Sequence, residues 1–121
     1  MPTAYHLVPE DWYRGQPEDR GYLPEPFEAD GFVHLTHGLD DVLIVGNMFY
    51  RGDDRPYLLL TIDLDQITAE VRYDDNSGRF PHVYGPLDRE AIVEVQRVKR
   101  DSGGSFTGVV PLNPSGTTTG R

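Results

Sequence analysis

The sequence predicts one α+β domain with a mostly antiparallel sheet and two or three short helices. Its 121 residues leave room for a single hydrophobic core. The 13 glycines and 10 prolines are typical of short elements joined by many turns. The predicted order is a strand, a helix, a long loop, a strand, a helix, and then three or four strands, which is the pattern of an α+β fold.

The first 29 residues combine one strand, one short helix and a long loop. Residues 4–8 (AYHLV) read as a strand. Pro9 suits the first turn of a helix that carries the only tryptophan, Trp12, and stops near Gly15. Residues 16–29 contain three prolines and have no periodicity, so we expect a loop. Its length for so small a domain indicates a lid or a binding segment.

The middle of the chain carries the clearest periodic signals. Residues 31–37 (GFVHLTH) predict a strand, and residues 38–52 show helical apolar spacing that ends at a glycine. Thr36 or Asp40 is the candidate cap of this helix. Residues 56–64 (PYLLLTIDL) are nearly all apolar, which predicts a central strand that is covered on both faces.

The last third predicts further strands and then a change of composition. Residues 69–74, 80–85 and 91–100 each read as extended. We expect the domain to span residues 1–100. Residues 101–121 are rich in Gly, Ser, Thr and Pro and predict a flexible tail, although GVVPL within it could add a strand locally.

Composition excludes several classes of function. A formal charge of −9 disfavours nucleic-acid binding over a broad surface, because such binding needs a positive face. No apolar run is long enough to span a membrane, and no secretory signal is recognisable. The chain has no cysteine, so disulfides and thiolate chemistry are excluded. These features predict a cytoplasmic protein.

Residues 30–37 (DGFVHLTH) place polar side chains on a predicted strand. With a period of two, His34 and Thr36 share a face, with origins roughly 6.6 Å apart. That spacing suits two groups that touch one ligand, since an imidazole and a hydroxyl together offer donors and acceptors for a sugar or an amide. The alternative is a half-buried strand with two ordinary polar residues.

Residues 79–87 (RFPHVYGPL) repeat this pattern. His82 and Tyr84 share a face if the segment is extended, and Pro81 and Pro86 restrict the backbone around them. Stiff presentation of such a pair favours a binding site, because little entropy is lost when a ligand binds. A structural corner, with Tyr84 bonded to a backbone carbonyl, would use the same residues.

Other chemistry has weaker support in the sequence. Four histidines are present, but only His34 and His37 are close in sequence, and residues three apart on a strand point in opposite directions. We therefore predict no metal site. Nothing matches a nucleophile elbow, a phosphate-binding glycine loop or a dinucleotide fingerprint. The paired acids in GDDRP and YDDNSG predict solvated turns.

Four blocks carry a resemblance to a known family. YHLV, DGFVHLTH, the apolar strand that ends in TID, and FPHVYGPL resemble, in this order, the family known as domain of unknown function 952, over residues 4–98. The resemblance implies an ADP-ribosyltransferase-like fold. FVHLT is also similar to a strand of the tRNA 2′-phosphotransferases, which use NAD. That similarity implies that His34 and Thr36 line the nicotinamide-ribose side of a pocket and that His6 matches a first-strand histidine.

Together these observations predict a cleft that binds a nucleotide-like or other small polar ligand. His34 and His82 are the candidate catalytic residues, with His82 as the general base. The candidate ligand- or cofactor-binding residues are His6, Thr36, Tyr84, Trp12 and Tyr50. If the protein is an enzyme, we expect ADP-ribosyl or another glycosyl transfer with NAD as the implied cofactor. The alternatives are an acidic binding module for a basic protein and, with less support, a metal-dependent hydrolase.

Overall fold

A computed structural model describes residues 2–112 and places four strands in an antiparallel sheet. These strands are β1 (Thr3–Pro9), β3 (Tyr57–Asp63), β6 (Ile92–Arg100) and β7 (Phe106–Pro111), in the spatial order β1-β3-β6-β7. The pairing of β1 with β3 is continuous, from Thr3 opposite Asp63 to Pro9 opposite Tyr57. Strand β3 therefore lies inside the sheet, as its apolar sequence predicts.

Apolar side chains cover both faces of this sheet, because β3 is apolar on both sides. Leu58, Leu60 and Ile62 face a core that also contains residues of the smaller sheet and of the long loop. Leu59 and Tyr57 face a second core beneath a helix. The prediction of a central strand covered on both faces is confirmed.

The helix over the second core is α3 (Leu39–Phe49), close to the predicted helix. Its buried positions, Val42 and Gly46, are four residues apart and lie on one helix face. The residue before the helix is Gly38, and no side chain caps the start. The prediction that Thr36 or Asp40 caps this helix is wrong, because the chain turns sharply at Gly38, where φ is +86°.

The smaller sheet has three very short strands. These are β2 (Val33–His34), β4 (Val71–Arg72) and β5 (His82–Val83), in the order β2-β5-β4. Val33 pairs with Val83 and both are fully buried, so one face of this sheet packs into the first core. The opposite face carries His34 and its cross-strand partner His82.

Residues 33–37 join the two sheets. The backbone N–H of Thr36 donates to the Tyr5 carbonyl at 2.9 Å, and the N–H of Tyr5 donates back to Thr36 at 2.8 Å. On its other side the segment continues the small sheet, since the N–H of Leu35 donates to the Pro81 carbonyl at 3.0 Å. The α+β class and the antiparallel sheets are confirmed, and the sheets meet at one bridged residue pair.

The larger sheet extends beyond the predicted domain boundary at residue 100. Strand β7 pairs with β6, and Phe106 on β7 is 3% exposed in the second core. The side chain of Asn47 on α3 bonds both the N–H and the carbonyl of Phe106. The boundary at residue 100 is therefore corrected, because residues 106–111 complete the sheet. The rest of the predicted tail, residues 113–121, lies outside the described residues.

The remaining elements are short. Helix α1 (Glu10–Arg14) follows β1 as predicted, and helix α2 (Phe27–Asp30) ends the long loop. Two 3₁₀ turns, Leu64–Gln66 and Arg89–Ala91, connect later strands. Within residues 2–112 no helix is both long and apolar enough to cross a bilayer.

Candidate functional site

A cavity of about 280 Å³ lies beside the bridge between Tyr5 on β1 and Thr36, where the two sheets meet. Its walls come from β1, the segment around β2, α3, the long loop, and the turn before β3. Apolar and aromatic side chains predominate. The lining residues are Tyr5, His6, Leu7, Pro9, Tyr22, Pro24, Glu25, Pro26, His34, Thr36, Val42, Val45, Tyr50, Asp53, Arg55 and Tyr57.

The His6 side chain links the two strands where their backbones part. Its Nδ1 lies 2.8 Å from the His34 carbonyl, which can only accept, so Nδ1 carries the proton and donates. Nε2 is then an acceptor in the neutral ring, and the Tyr22 hydroxyl donates to it at 3.1 Å. Burial of the ring lowers the pKa of His6 from 6.5 to about 4. His6 is therefore a neutral structural link, and both of its nitrogens are occupied by protein groups.

The long loop, residues 16–29, forms one wall of the cavity and is held by several hydrogen bonds. The indole N–H of Trp12 donates to the Leu23 carbonyl at 2.8 Å, and the N–H of Leu23 donates to Gln16 at 3.2 Å. Tyr22 pairs through its backbone with Leu87 and is fully buried. Burial raises the pKa of the Tyr22 hydroxyl, so it stays protonated and remains a donor to His6.

Charged groups lie at one side of the cavity. Arg55 donates from Nε and Nη2 to the carboxylate of Asp53, with its shortest contact at 2.7 Å. The Tyr57 hydroxyl also donates to Asp53, at 2.9 Å. The hydrogen bonds from Arg55 hold the pKa of Asp53 well below its usual range. Glu25, on the loop, contacts the outer edge of the same guanidinium.

Two tyrosines stack along the cavity wall. The ring centroids of Tyr50 and Tyr57 are 5.3 Å apart, and the ring planes are inclined by 27°. Burial raises the pKa of both hydroxyls, and for Tyr57 the bond to Asp53 adds to the effect. Both groups are therefore neutral near pH 7. The hydroxyl of Tyr57 is engaged by Asp53, whereas that of Tyr50 has no partner among residues 2–112.

His34 lies at the rim of the cavity and at the edge of a second cluster. Its Nε2 is 2.9 Å from the carboxylate of Asp30, and its ring is 5.4 Å from that of His82, edge to face. The sequence analysis predicts that both imidazoles line one cleft, and the structure places the two rings side by side. Their setting is different from the one expected, because His82 does not line the cavity.

The second cluster occupies the outer face of the small sheet. His82 stacks on Phe32 at 4.1 Å and bonds Asp74 through Nδ1 at 2.8 Å. The Tyr84 hydroxyl donates to the same Asp74 oxygen. These hydrogen bonds, from Tyr84 and then from His82, lower the pKa of Asp74. Tyr84 is thus held by a side-chain carboxylate rather than by the backbone carbonyl of a structural corner.

The structure brings together four of the seven predicted site residues. His6, His34, Thr36 and Tyr50 line the cavity, whereas His82, Tyr84 and Trp12 do not. The sequence predictions did not include the other polar lining residues, Tyr5, Tyr22, Glu25, Asp53, Arg55 and Tyr57. The length of the loop was the only signal for Tyr22 and Glu25. Asp53 and Arg55 belong to GDDRP, and the prediction of a purely solvated turn there is wrong because Asp53 bonds buried Tyr57.

Within the described part of the chain, no group of three or more His, Cys, Asp or Glu side chains is arranged to hold a metal ion. His34 at the rim of the cavity is instead paired with one carboxylate, Asp30, and His82 in the second cluster is paired with Asp74. The cavity and its rim carry hydroxyl, imidazole, carboxylate and guanidinium groups beside aromatic and apolar side chains.

The fold is shared with solved structures of one bacterial protein. Two crystal structures of CC0527 from Caulobacter crescentus, one of them of a double mutant, align with TM-scores of 0.74 and 0.73 at 19% identity. Each covers 88% of this chain and 94% of the other. The solution structure of CC0527 aligns with a TM-score of 0.64 at 21% identity, covering 86% and 90%. No curated protein sequence matches this chain.

A family profile matches most of the chain. The match covers residues 7–95, which contain the loop, the segment that joins the two sheets and the turn before β3. This match confirms the resemblance carried by the sequence blocks. The chain belongs to the family described as protein of unknown function DUF952.

Proposed function

We propose that this chain binds a nucleoside-like small molecule in the cavity between its two sheets. One observation carries the proposal: three residues that bear hydroxyls, Tyr5, Thr36 and Tyr50, line a largely apolar cavity. Within residues 2–112 none of the three hydroxyls has a protein partner. An unpaired hydroxyl both donates and accepts, which suits the hydroxyls of a sugar or the edge of an amide.

The dimensions and walls of the cavity agree with this class of ligand. Small-molecule sites have volumes of about 300–1,000 Å³ and combine apolar walls with a few polar groups. At about 280 Å³ the cavity lies just below that range, so it suits one nucleoside-sized body. The ring of Tyr50 offers a flat surface for a planar base.

If the protein is an enzyme, His34 is the residue placed to act as a general base. Asp30 bonds one nitrogen of its ring, as a carboxylate does when it orients an imidazole to act as a general base. In a glycosyl transfer, the bond from the ribose carbon to its base would break as an acceptor oxygen bonds to that carbon. His34 would take the acceptor's proton, and the leaving base would keep the bonding electrons.

The ADP-ribosyltransferase-like fold and NAD use belong to the same proposal. Supporting them are the paired antiparallel sheets that meet at Thr36, and the position of His6 on the first strand beside the cavity. The volume of the cavity is enough for one half of a dinucleotide but not for a whole one. NAD would therefore enter by its nicotinamide-ribose end and extend out between the loop and Arg55.

Calorimetric titration with ribonucleosides, nicotinamide riboside and NAD tests the proposal. Thr36→Val and Tyr50→Phe each remove one hydroxyl and should weaken binding roughly three- to tenfold. Tyr73→Phe is the matched control, because its hydroxyl bonds His37 outside the cavity. Absence of binding by every ligand at millimolar concentration would remove the proposal.

The acidic binding module is the rival function. A basic partner would bind through surface charge, and its affinity would fall steeply with added salt while surviving Thr36→Val. Binding of an uncharged nucleoside should depend little on added salt and should weaken in Thr36→Val.

A further inference from the structure

Arg55 is held in a fixed orientation at the side of the cavity. Three contacts of 2.7, 3.0 and 3.1 Å join its Nε and Nη2 to the Asp53 carboxylate. Asp53 is in turn held by the Tyr57 hydroxyl, and the Arg55 carbonyl accepts from Arg100 at 2.7 Å. The plane of the guanidinium is therefore set before any ligand arrives, and its remaining N–H groups lie on the outer edge.

Glu25 occupies that outer edge, but only loosely. A single oxygen, Oε1, lies 3.4 Å from Nη1 and 3.3 Å from Nη2. Charge-assisted bonds of this kind are usually about 2.7–2.9 Å. Both side chains are nearly half exposed, at 48% for Glu25 and 42% for Arg55. Glu25 is thus the most weakly held of the three charged side chains Asp53, Arg55 and Glu25.

The loop around Glu25 allows this contact to open locally. The loop is anchored as far as Leu23 by Trp12 and Gln16, and it enters helix α2 at Phe27. Between these points lie only Pro24, Glu25 and Pro26, all three of which line the cavity. Movement of the Glu25 side chain leaves the anchors of the loop in place.

We infer that a phosphate group of the ligand binds Arg55 at the position that Glu25 now occupies. The phosphate displaces the Glu25 side chain and pairs with Arg55 in its place. The inference rests on the proposed function: the ligand becomes a nucleoside monophosphate, with its nucleoside in the cavity. The outer edge of an arginine offers paired N–H donors that match two phosphate oxygens. The fixed plane of Arg55 would reduce the entropy lost on forming this pair.

The charges at the site explain how an acidic protein would accept an anion there. Asp53 neutralises Arg55, so the cluster carries a formal charge of −1 while Glu25 is in place and 0 once Glu25 has moved away. A free anion would have to displace Glu25 from Arg55 and would gain no other contact with the cavity. A nucleoside monophosphate also gains the contacts of its nucleoside with Tyr5, Thr36 and Tyr50, so the two parts of the ligand reinforce each other.

The test compares nucleosides, their 5′-monophosphates and inorganic phosphate on three proteins. These are the unaltered chain, Glu25→Gln, and Glu28→Gln as the matched control, because Glu28 is an exposed acid of the same segment outside the cavity. Binding is measured by calorimetry and by the fluorescence of Trp12, which contacts the loop. Glu25→Gln should tighten monophosphate binding roughly two- to fivefold relative to nucleoside binding by the same variant. Glu28→Gln should change neither.

Each outcome separates the two proposals. Nucleoside binding with no preference for the monophosphate, in either the unaltered chain or Glu25→Gln, would overturn the phosphate inference and leave the proposed function standing. Weaker monophosphate binding by Glu25→Gln would also overturn it. Inorganic phosphate binding as tightly as the monophosphate would remove the nucleoside from the assignment. Failure of every nucleoside and every monophosphate to bind any of the proteins would overturn both.

A second variant tests the arginine directly. Arg55→Gln should abolish the preference for the monophosphate over the nucleoside, measured as the ratio of the two affinities. An unchanged preference in Arg55→Gln would show that another group holds the phosphate. Circular dichroism checks that this variant folds, and the Glu25→Gln result stands independently if it does not.

Discussion

The imidazole of His6 donates a hydrogen bond to the backbone carbonyl of His34, across the gap where the two sheets part. The neighbouring residue, Tyr5, is joined to Thr36 by backbone hydrogen bonds alone. One residue further along β1, a side chain replaces the backbone as the link. The cavity lies beside this change from a backbone link to a side-chain link.

His6→Ala should destabilise the protein strongly. It leaves the His34 carbonyl and the buried Tyr22 hydroxyl without their partner, and each orphaned buried group costs about 1–3 kcal/mol. His37→Ala is a close control, because His37 also bonds a backbone carbonyl and a tyrosine hydroxyl, but with Tyr73 at 44% exposure. Urea denaturation should show a several-fold larger loss for His6→Ala. Equal losses would contradict the structural role of His6.

The pKa of His6 predicts an acid-dependent loss of stability. Its folded pKa of about 4 lies below its reference value of 6.5, so between these pH values the unfolded chain binds more protons. The contribution is fully present above pH 6.5 and is lost as the pH falls toward 4, by on the order of 3 kcal/mol. Denaturation midpoints from pH 7 to pH 4.5 should fall in the unaltered chain. His6→Gln should show a shallower fall over this range, and an identical slope would refute the assignment.

Gly46→Ala should destabilise the protein although alanine favours helices. A Cβ on Gly46 would lie 2.5 Å from Phe106 Cδ2 and 3.0 Å from Leu7 Cδ1, inside the second core. Such overpacking typically costs about 1–3 kcal/mol. Gly52→Ala is the control, since nothing lies within 4 Å of its added Cβ. Thermal melts should rank Gly46→Ala well below Gly52→Ala, and a reversed order would mean that α3 sits further from the sheet.

Removal of β7 should also destabilise the fold. Phe106→Ala deletes a buried ring from the second core, which typically costs about 3–5 kcal/mol. Val110→Ala on the same strand is the control, because Val110 is 37% exposed. A chain that ends after Arg100 should lose cooperative unfolding altogether. If that truncated chain unfolded like the full chain, β7 would not be an integral strand.

Local periodicity was sufficient to predict the framework of the fold. Strand β3 and helix α3 were predictable because their apolar spacing directly reflects which faces are buried. Strand β7 was predictable only as a local strand over GVVPL, since Gly108 and Pro111 lie within it and only Phe106 is deeply buried. Its place depends on long-range contacts with β6 and Asn47, which no local pattern encodes.

The candidate site was predictable only in part, for a related reason. Alternation along residues 32–36 correctly indicated polar groups on a strand, and the family resemblance pointed to His6. Alternation could not show that Thr36 turns to β1 while His82 remains on the outer face of the small sheet. Glu25 and Arg55 lie on irregular segments 30 residues apart, and only the folded chain brings them together.

The single bridge between the sheets has a further consequence. The N–H groups of Tyr5 and Thr36 are the backbone donors that join the two sheets within the described residues. The rate at which these two amide hydrogens exchange with deuterated solvent would therefore report how often the two sheets separate at the bridge. A molecule bound beside this bridge would slow the exchange of these two amides more than that of amides within either sheet. A hydrogen-exchange experiment on a mixture of small molecules could therefore locate the binding site even before the bound molecule is identified.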